Sequence, residues 1–251
     1  MIKLTRSALT MLLSHYRSIF KHAYVKGLAA AVVVGSLGLA GTAQAANTPD
    51  GIWTESMEIS SSTEAESAEA TIDTAIAEAE GTLTVGTGGT VSIEGTVKDT
   101  DNDAYLVVEG GAVTATKAVQ VFGVTVSSGS ITLDGAGLTA SGTVPATAPG
   151  VISITGGTIT VTDTDDVGIT GDTVTIGTNA TIVQQGAAKT LTITSTTNDL
   201  TLGGSITAEG AVSGVAAAAD LNSSATISAS AVALEATNGI LTNTGSITST
   251  T

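Results

Sequence analysis

The chain has 251 residues, with 23 acidic and 8 basic side chains, two histidines and no cysteine. Five of the basic residues (Lys3, Arg6, Arg17, Lys21, Lys26) and both histidines (His15, His22) fall in the first 26 positions, and every acidic side chain lies from Asp50 onward. Beyond residue 45 the only cations are Lys98, Lys117 and Lys189. That region cannot build a nucleophilic triad around a histidine base, has no thiol chemistry, and lacks the basic surface that nucleic-acid binding needs.

Residues 1–45 read as an export signal, removed on secretion. A basic stretch runs from Met1 to Lys26, an apolar run from Gly27 to Gly41, and Ala43-Gln44-Ala45 gives the small-x-small pattern of a cleavage site. The apolar run is shorter than the roughly 20 residues a membrane span requires, so no transmembrane segment is expected in the mature chain. The long basic leader resembles, in layout, the extended signal peptides of bacterial autotransporters and two-partner secreted proteins. The remainder fits one domain or one elongated array.

Threonine dominates that remainder, and its aromatics are only Trp53, Tyr105 and Phe122. Threonine, valine and isoleucine favour strands. A globular core leans on bulky aromatics, whereas a narrow interior of Val, Ile, Ala and Leu suits a solenoid, in which each coil packs only on its neighbours.

In chain order, residues 46–61 read as an irregular lead-in. Residues 62–80 read as a capping helix: Ala65, Ala68, Ile72, Ala75, Ile76 and Ala79 recur at three- and four-residue steps, Ser61 and Glu64 have capping-box spacing, and Gly81 stands at a C-cap. From 81 to 251 the period becomes two. A phrase of turn, small polar, β-branched, Thr or Ser, apolar recurs at Gly88–Ile93, Gly110–Ala115, Ser128–Leu133, Gly156–Val161, Gly203–Ala208 and Thr244–Thr248. Its central residues Val91, Val113, Ile131, Ile159, Ile206 and Ile247 are 22, 18, 28, 47 and 41 apart, which fits coils of about 20 residues with some coils lacking the phrase. Ser141–Gly150, with Pro145 and Pro149, reads as a loop off one coil. The fold expected is an all-β parallel β-helix with an N-terminal capping helix. The sequence stops in mid-pattern at Thr251, which predicts a fragment of a longer solenoid, an end that pairs with another copy, or a cap within the Ala/Ser-rich stretch near Val215–Ala236.

Thr71-Ile72, Ala75-Ile76, Ala79, Gly81, Val85 and Gly88-Gly89-Thr90-Val91 resemble the start of pectin-lyase-like right-handed β-helices, where a short helix caps the first coil. The Thr/Gly-rich remainder resembles the passengers of autotransporters and filamentous adhesins. The resemblance covers about residues 60–251.

The sharpest local chemistry is Asp99-Thr100-Asp101-Asn102-Asp103. Alternating carboxylates offer the oxygen ligands calcium takes, although Ala104 and Gly110 stand where an EF-hand needs Gly and Glu. A matching loop follows at Asp163, Asp165 and Asp166, about three coils on, so stacking would put both loops on one face. The six aspartates Asp99, Asp101, Asp103, Asp163, Asp165 and Asp166 are therefore candidate calcium ligands, beside the plainer reading that Asp and Asn favour turns. No catalytic or cofactor-binding residue is identified and no enzyme is expected. The function expected is that of an exported bacterial β-solenoid, extracellular or on the outer-membrane surface, serving as an adhesin or structural module. Its expected partners are surface glycans or proteins of a host or neighbouring cell, or a second copy end to end. The alternatives are a β-helix carbohydrate-active enzyme and a calcium-stabilised filament protein.

Overall fold

The computed structural model describes residues 53, 56–60, 68–73, 75–141, 150–162 and 165–250. The chain divides into two units, 1–42 and 43–251, and every described residue belongs to the second. The expected export signal at residues 1–45 lies outside the described residues, as does the interior of the expected 141–150 loop.

The second unit is an all-β parallel solenoid with coils of about 22 residues. One sheet takes the strands β1 (Met57–Ile59), β3 (Gly81–Gly86), β6 (Ala104–Ala115), β8 (Gly123–Leu133), β10 (Val151–Val161), β12 (Thr173–Gln184), β14 (Leu200–Leu202), β17 (Leu221–Ser223) and β20 (Leu241–Asn243) in that order. Continuing it round the bend are β2 (Ala68–Ile72), β4 (Gly89–Ile93), β15 (Ser205–Ala208), β18 (Thr226–Ala229) and β21 (Ser246–Ser249). The second sheet orders β19 (Ala231–Ala236), β16 (Ala211–Ala216), β13 (Thr190–Ser195), β11 (Val167–Gly171), β9 (Leu138–Ala140), β7 (Val119–Val121) and β5 (Val97–Lys98). All of these pairings are parallel.

Period-two alternation fixes which side chains face inward, because successive residues of a strand point to opposite faces. Coil by coil, Leu83, Leu106, Val124, Ile152, Val174, Leu200, Leu221 and Leu241 stand one above another. A second column runs Ala70, Val91, Val113, Ile131, Ile159, Ile182, Ile206, Ile227 and Ile247. From Val91 to Ile227 this second column is fully buried, and each such aliphatic side chain contributes about 1.5–3 kcal/mol on leaving water. The long intervals of the sequence pattern close here. Ile182 and Ile227 supply the two coils that lack the glycine phrase, with Asn179-Ala180 and Ser224-Ala225 in its place.

In β6, β8 and β10 the glycine phrase does not end the strand, as its turn chemistry predicts, but bends it, whereas Gly203-Gly204 does separate β14 from β15. Register shifts fall between Val108 and Ala112 and between Ile154 and Gly156, inside continuous strands. Gly129 and Gly157 adopt φ of 85° and 78°. A Cβ on Gly157 would also stand 2.7 Å from the Gly129 carbonyl oxygen of the coil before, so the bend requires glycine on both counts.

The capping helix is corrected over its described part. Residues 62–67 lie outside the described residues, but Ala68–Ile72 is a strand paired with Gly89–Ile93, and Ile76 bridges to Val97. The main chain bonds to the next coil instead of four residues back: Ile76 N–H donates to Thr96 O at 2.8 Å and Ala79 N–H to Lys98 O at 2.8 Å. The segment Ala68-Glu69-Ala70-Thr71-Ile72 satisfies periods of four and two at once. Pairing with a neighbouring strand decides for two, burying Ala70 and Ile72 and exposing Glu69 and Thr71. Gly81 opens β3 with φ 75° and does not cap a helix. The 215–236 stretch forms regular coils, not a cap. Among the described residues no helix is long and apolar enough to cross a membrane.

Candidate functional site

The acidic residues cluster at the corners between strands. Asp99 follows β5 and is 3% exposed. Its Oδ1 accepts the main-chain N–H of Asp101 and of Asn102, both at 2.9 Å, and its Oδ2 accepts that of Ala104 at 3.1 Å. Such charge-assisted bonds are the strong ones. Asn102 takes φ 68° to close the loop, a conformation Asn tolerates better than most residues. Thr100 Oγ1 lies 3.1 Å from both Glu78 Oε1 and Asp101 Oδ1, reaching toward the coil before. Partial burial pushes the Asp103 carboxyl above its ordinary value, and the carboxylates of Asp99 and then Asp101 push the same way.

The aspartates expected to share a face do not. Asp99–Asp103 occupies the corner between β5 and β6, whereas Asp165 and Asp166 stand at the corner between β10 and β11, on the other side of the second sheet. Register stacks Ile93, the end of β4, in the column of Ala115, Leu133 and Val161, the end of β10. The second loop follows β10 directly, whereas the first follows β5 and so emerges one strand later. Asp163 lies outside the described residues. Asp166 Oδ1 accepts the Thr190 N–H of the next coil at 2.8 Å. Among the described residues no group of three or more His, Cys, Asp or Glu side chains could hold a metal ion.

Several acidic residues that motif reasoning passed over share this occupation. Asp172 accepts the Gly150 N–H at 2.8 Å through Oδ2 and the Thr196 hydroxyl at 2.8 Å through Oδ1. Asp199 Oδ1 accepts the N–H of Asp220 at 3.1 Å, and Asp220 Oδ1 accepts that of Ile240 at 2.7 Å, each one coil further on. Glu209 Oε2 accepts the Gly186 N–H at 2.9 Å. The interior holds one matching device: buried Gln184 donates to Gly186 O at 2.9 Å and accepts the Gly210 N–H at 3.0 Å. Corners leave main-chain donors outside the ladders, and unpaired buried donors are costly. Carboxylates at corners supply acceptors there. The available signal is a position, an acid flanking the first or last residue of a strand, not a motif.

One corner is larger. Ser141 and Gly150, the described residues on either side of 142–149, lie against each other. Ser141 N–H donates to Val121 O at 3.2 Å, and a Cβ on Gly150 would stand 2.5 Å from the Ser141 nitrogen. The described chain on the two sides of 142–149 therefore meets at one point, with the Asp172 carboxylate fastened to Gly150. Comparison with known proteins found no matching family model, no match among curated proteins and none among solved structures.

Proposed function

We propose that this chain is an exported bacterial β-solenoid of the autotransporter or filamentous-adhesin type, working as a rigid support that carries adhesive corners at a cell surface. The observation that carries this reading is the close contact of Ser141 with Gly150, which brings the two ends of the 142–149 insertion to one point. A loop anchored at a single point of an in-register stack is presented without disturbing the columns beneath it, and loops on a rigid scaffold are where recognition residues concentrate. The leader at residues 1–45 agrees with export. The partner class that suits an acidic, Thr- and Ser-rich surface is an uncharged or cationic glycan or protein of a neighbouring cell.

The experiment replaces 142–149 with a short Gly-Ser linker and measures binding of the purified chain to cultured epithelial and bacterial cells, with circular dichroism as the fold control. Binding lost from a chain that keeps its strand signal supports the reading. Undiminished binding removes the loop from it, and no binding by the unaltered chain to either cell type removes the adhesin role.

A second reading is calcium stabilisation at the Asp99–Asp103 corner. Asp99 is already occupied by main-chain donors, but exposed Asp101 and Asp103 stand beside it, and Asp103 is pushed up by partial desolvation first and then by the carboxylates of Asp99 and Asp101. A melting temperature raised by millimolar calcium, and not raised in Asp101→Asn/Asp103→Asn, supports it. An unchanged melting temperature rejects it.

A further inference from the structure

We propose that Asn238–Gly239 is a site of spontaneous covalent modification, at which deamidation loosens the coil of β20 and β21 from the coil before it. Asn238 and Gly239 form the sequence's one Asn-Gly pair and sit in the corner between β19 and β20. Asn238 is exposed. Among the described residues the Gly239 N–H makes no main-chain hydrogen bond. Having no Cβ, glycine leaves its nitrogen open to the side chain before it.

In the reaction the Gly239 nitrogen, having lost its proton to base, attacks Asn238 Cγ. A bond forms between them, the Cγ–Nδ2 bond breaks, and the amide nitrogen departs as ammonia after taking up a proton. Water then adds to one of the two carbonyls of the cyclic imide. Opening at one carbonyl leaves aspartate at 238. Opening at the other leaves isoaspartate, which carries the main chain through the side-chain methylene.

The fold makes this labile pair difficult to avoid and sensitive to its loss. A Cβ at Gly239 would stand 2.3 Å from Ala219 O of the coil before, so close stacking of the two corners demands glycine there. Asn238 Nδ2 donates to Ala217 O at 2.7 Å. An ionised product has only acceptors, so this inter-coil bond becomes a carboxylate facing a carbonyl. It also adds a negative charge near Asp220, whose carboxylate already holds the Ile240 N–H. Isoaspartate further lengthens the corner by one main-chain atom, between Ala236 in register with Ala216 and Leu241 in register with Leu221.

The full chain is incubated at mildly alkaline pH and cleaved after Glu235 for peptide mass analysis, with isoaspartyl methyltransferase labelling of the same samples. The mass gain of amide to acid is expected at Asn238 ahead of Asn102, Asn179, Asn198, Asn222 and Asn243. Amide exchange of Leu241–Ser249 in the aged chain is expected to lose its protection, and Asn238→Thr keeps that protection on ageing. No gain at Asn238 in the folded chain, under conditions where the urea-unfolded chain gains it, overturns the proposal. So does a deamidated chain whose 241–249 amides stay protected.

Discussion

Tyr105 lies across Gly123 of the next coil, in register with it, and a Cβ on Gly123 would stand 2.7 Å from the Tyr105 ring. Phe122 meets the same ring edge-on at a centroid distance of 5.6 Å. Two of the three aromatics beyond residue 45 thus cover a strand position that has no side chain of its own. Gly123→Ala is expected to push the ring out and destabilise by about 1–3 kcal/mol, the usual cost of overpacking. Tyr105→Ser with Gly123→Ala should be less unstable than the sum of the two single changes. Urea titration of the four proteins measures it.

Asp99 holds three main-chain donors while almost fully buried. Asp99→Ala leaves them without that acceptor, and a loss of about 2–4 kcal/mol is expected, since each unsatisfied buried group costs about 1–3 kcal/mol and water recovers part. Asp99→Asn keeps one acceptor oxygen and should lose less. Equal stability of Asp99→Ala and the parent in urea would show that the corner does not depend on the carboxylate.

Asp103 responds to pH with a definite sign. Its folded-state value is raised above 3.8, so the folded chain holds that proton more firmly than the unfolded one. The contribution of Asp103 to stability is therefore greatest at acid pH and falls as pH rises through the carboxylate range. Asp103→Asn should melt above the parent near neutral pH, and the gap should close as pH falls below 4. Melting curves across that range, at low salt, check it.

Gly214 stands in an inward column between Ile193 and Leu234. The space it leaves is taken by Leu234 of the next coil, whose Cδ2 would lie 2.9 Å from a Cβ on Gly214. Leu234→Ala is expected to leave a void over Gly214 and to cost at most the lower part of the 2–5 kcal/mol range for such truncations, because Leu234 is itself only partly covered. Thermal melting of Leu234→Ala beside Leu202→Ala, a fully buried neighbour, should rank the second as the more damaging.

Much of this fold is legible in the residues because a parallel stack repeats one pattern. Val91, Val113, Ile131 and Ile159 were spaced by whole coils and lie in one column. Ile182 and Ile227 escaped because their turns use Asn-Ala and Ser-Ala, which carry no glycine signal. Residues 68–72 misled because alanine fits a helix stripe and an alternating strand equally, and only a partner strand separates the two. The expectation that Asp165 and Asp166 share a face with Asp99–Asp103 failed for a related reason. Local likeness cannot say on which side of an intervening strand a loop emerges. The corner acids were visible as residues but not as acceptors, since their donors lie mostly one coil away.

The central claim is the register itself, and a chain without cysteine allows a direct test. Thr160, Val183 and Thr207 stack outward in successive coils. Neighbouring strands lie about 4.8 Å apart, within the Cα separation a disulfide accepts, while two coils span about 10 Å, beyond its roughly 7 Å limit. Val183→Cys with Thr207→Cys should cross-link within the folded monomer under mild oxidation, and Thr160→Cys with Thr207→Cys should not. A bond between 160 and 207, with none between 183 and 207, would mean that no coil passes through Ile182 and would contradict the stacking described.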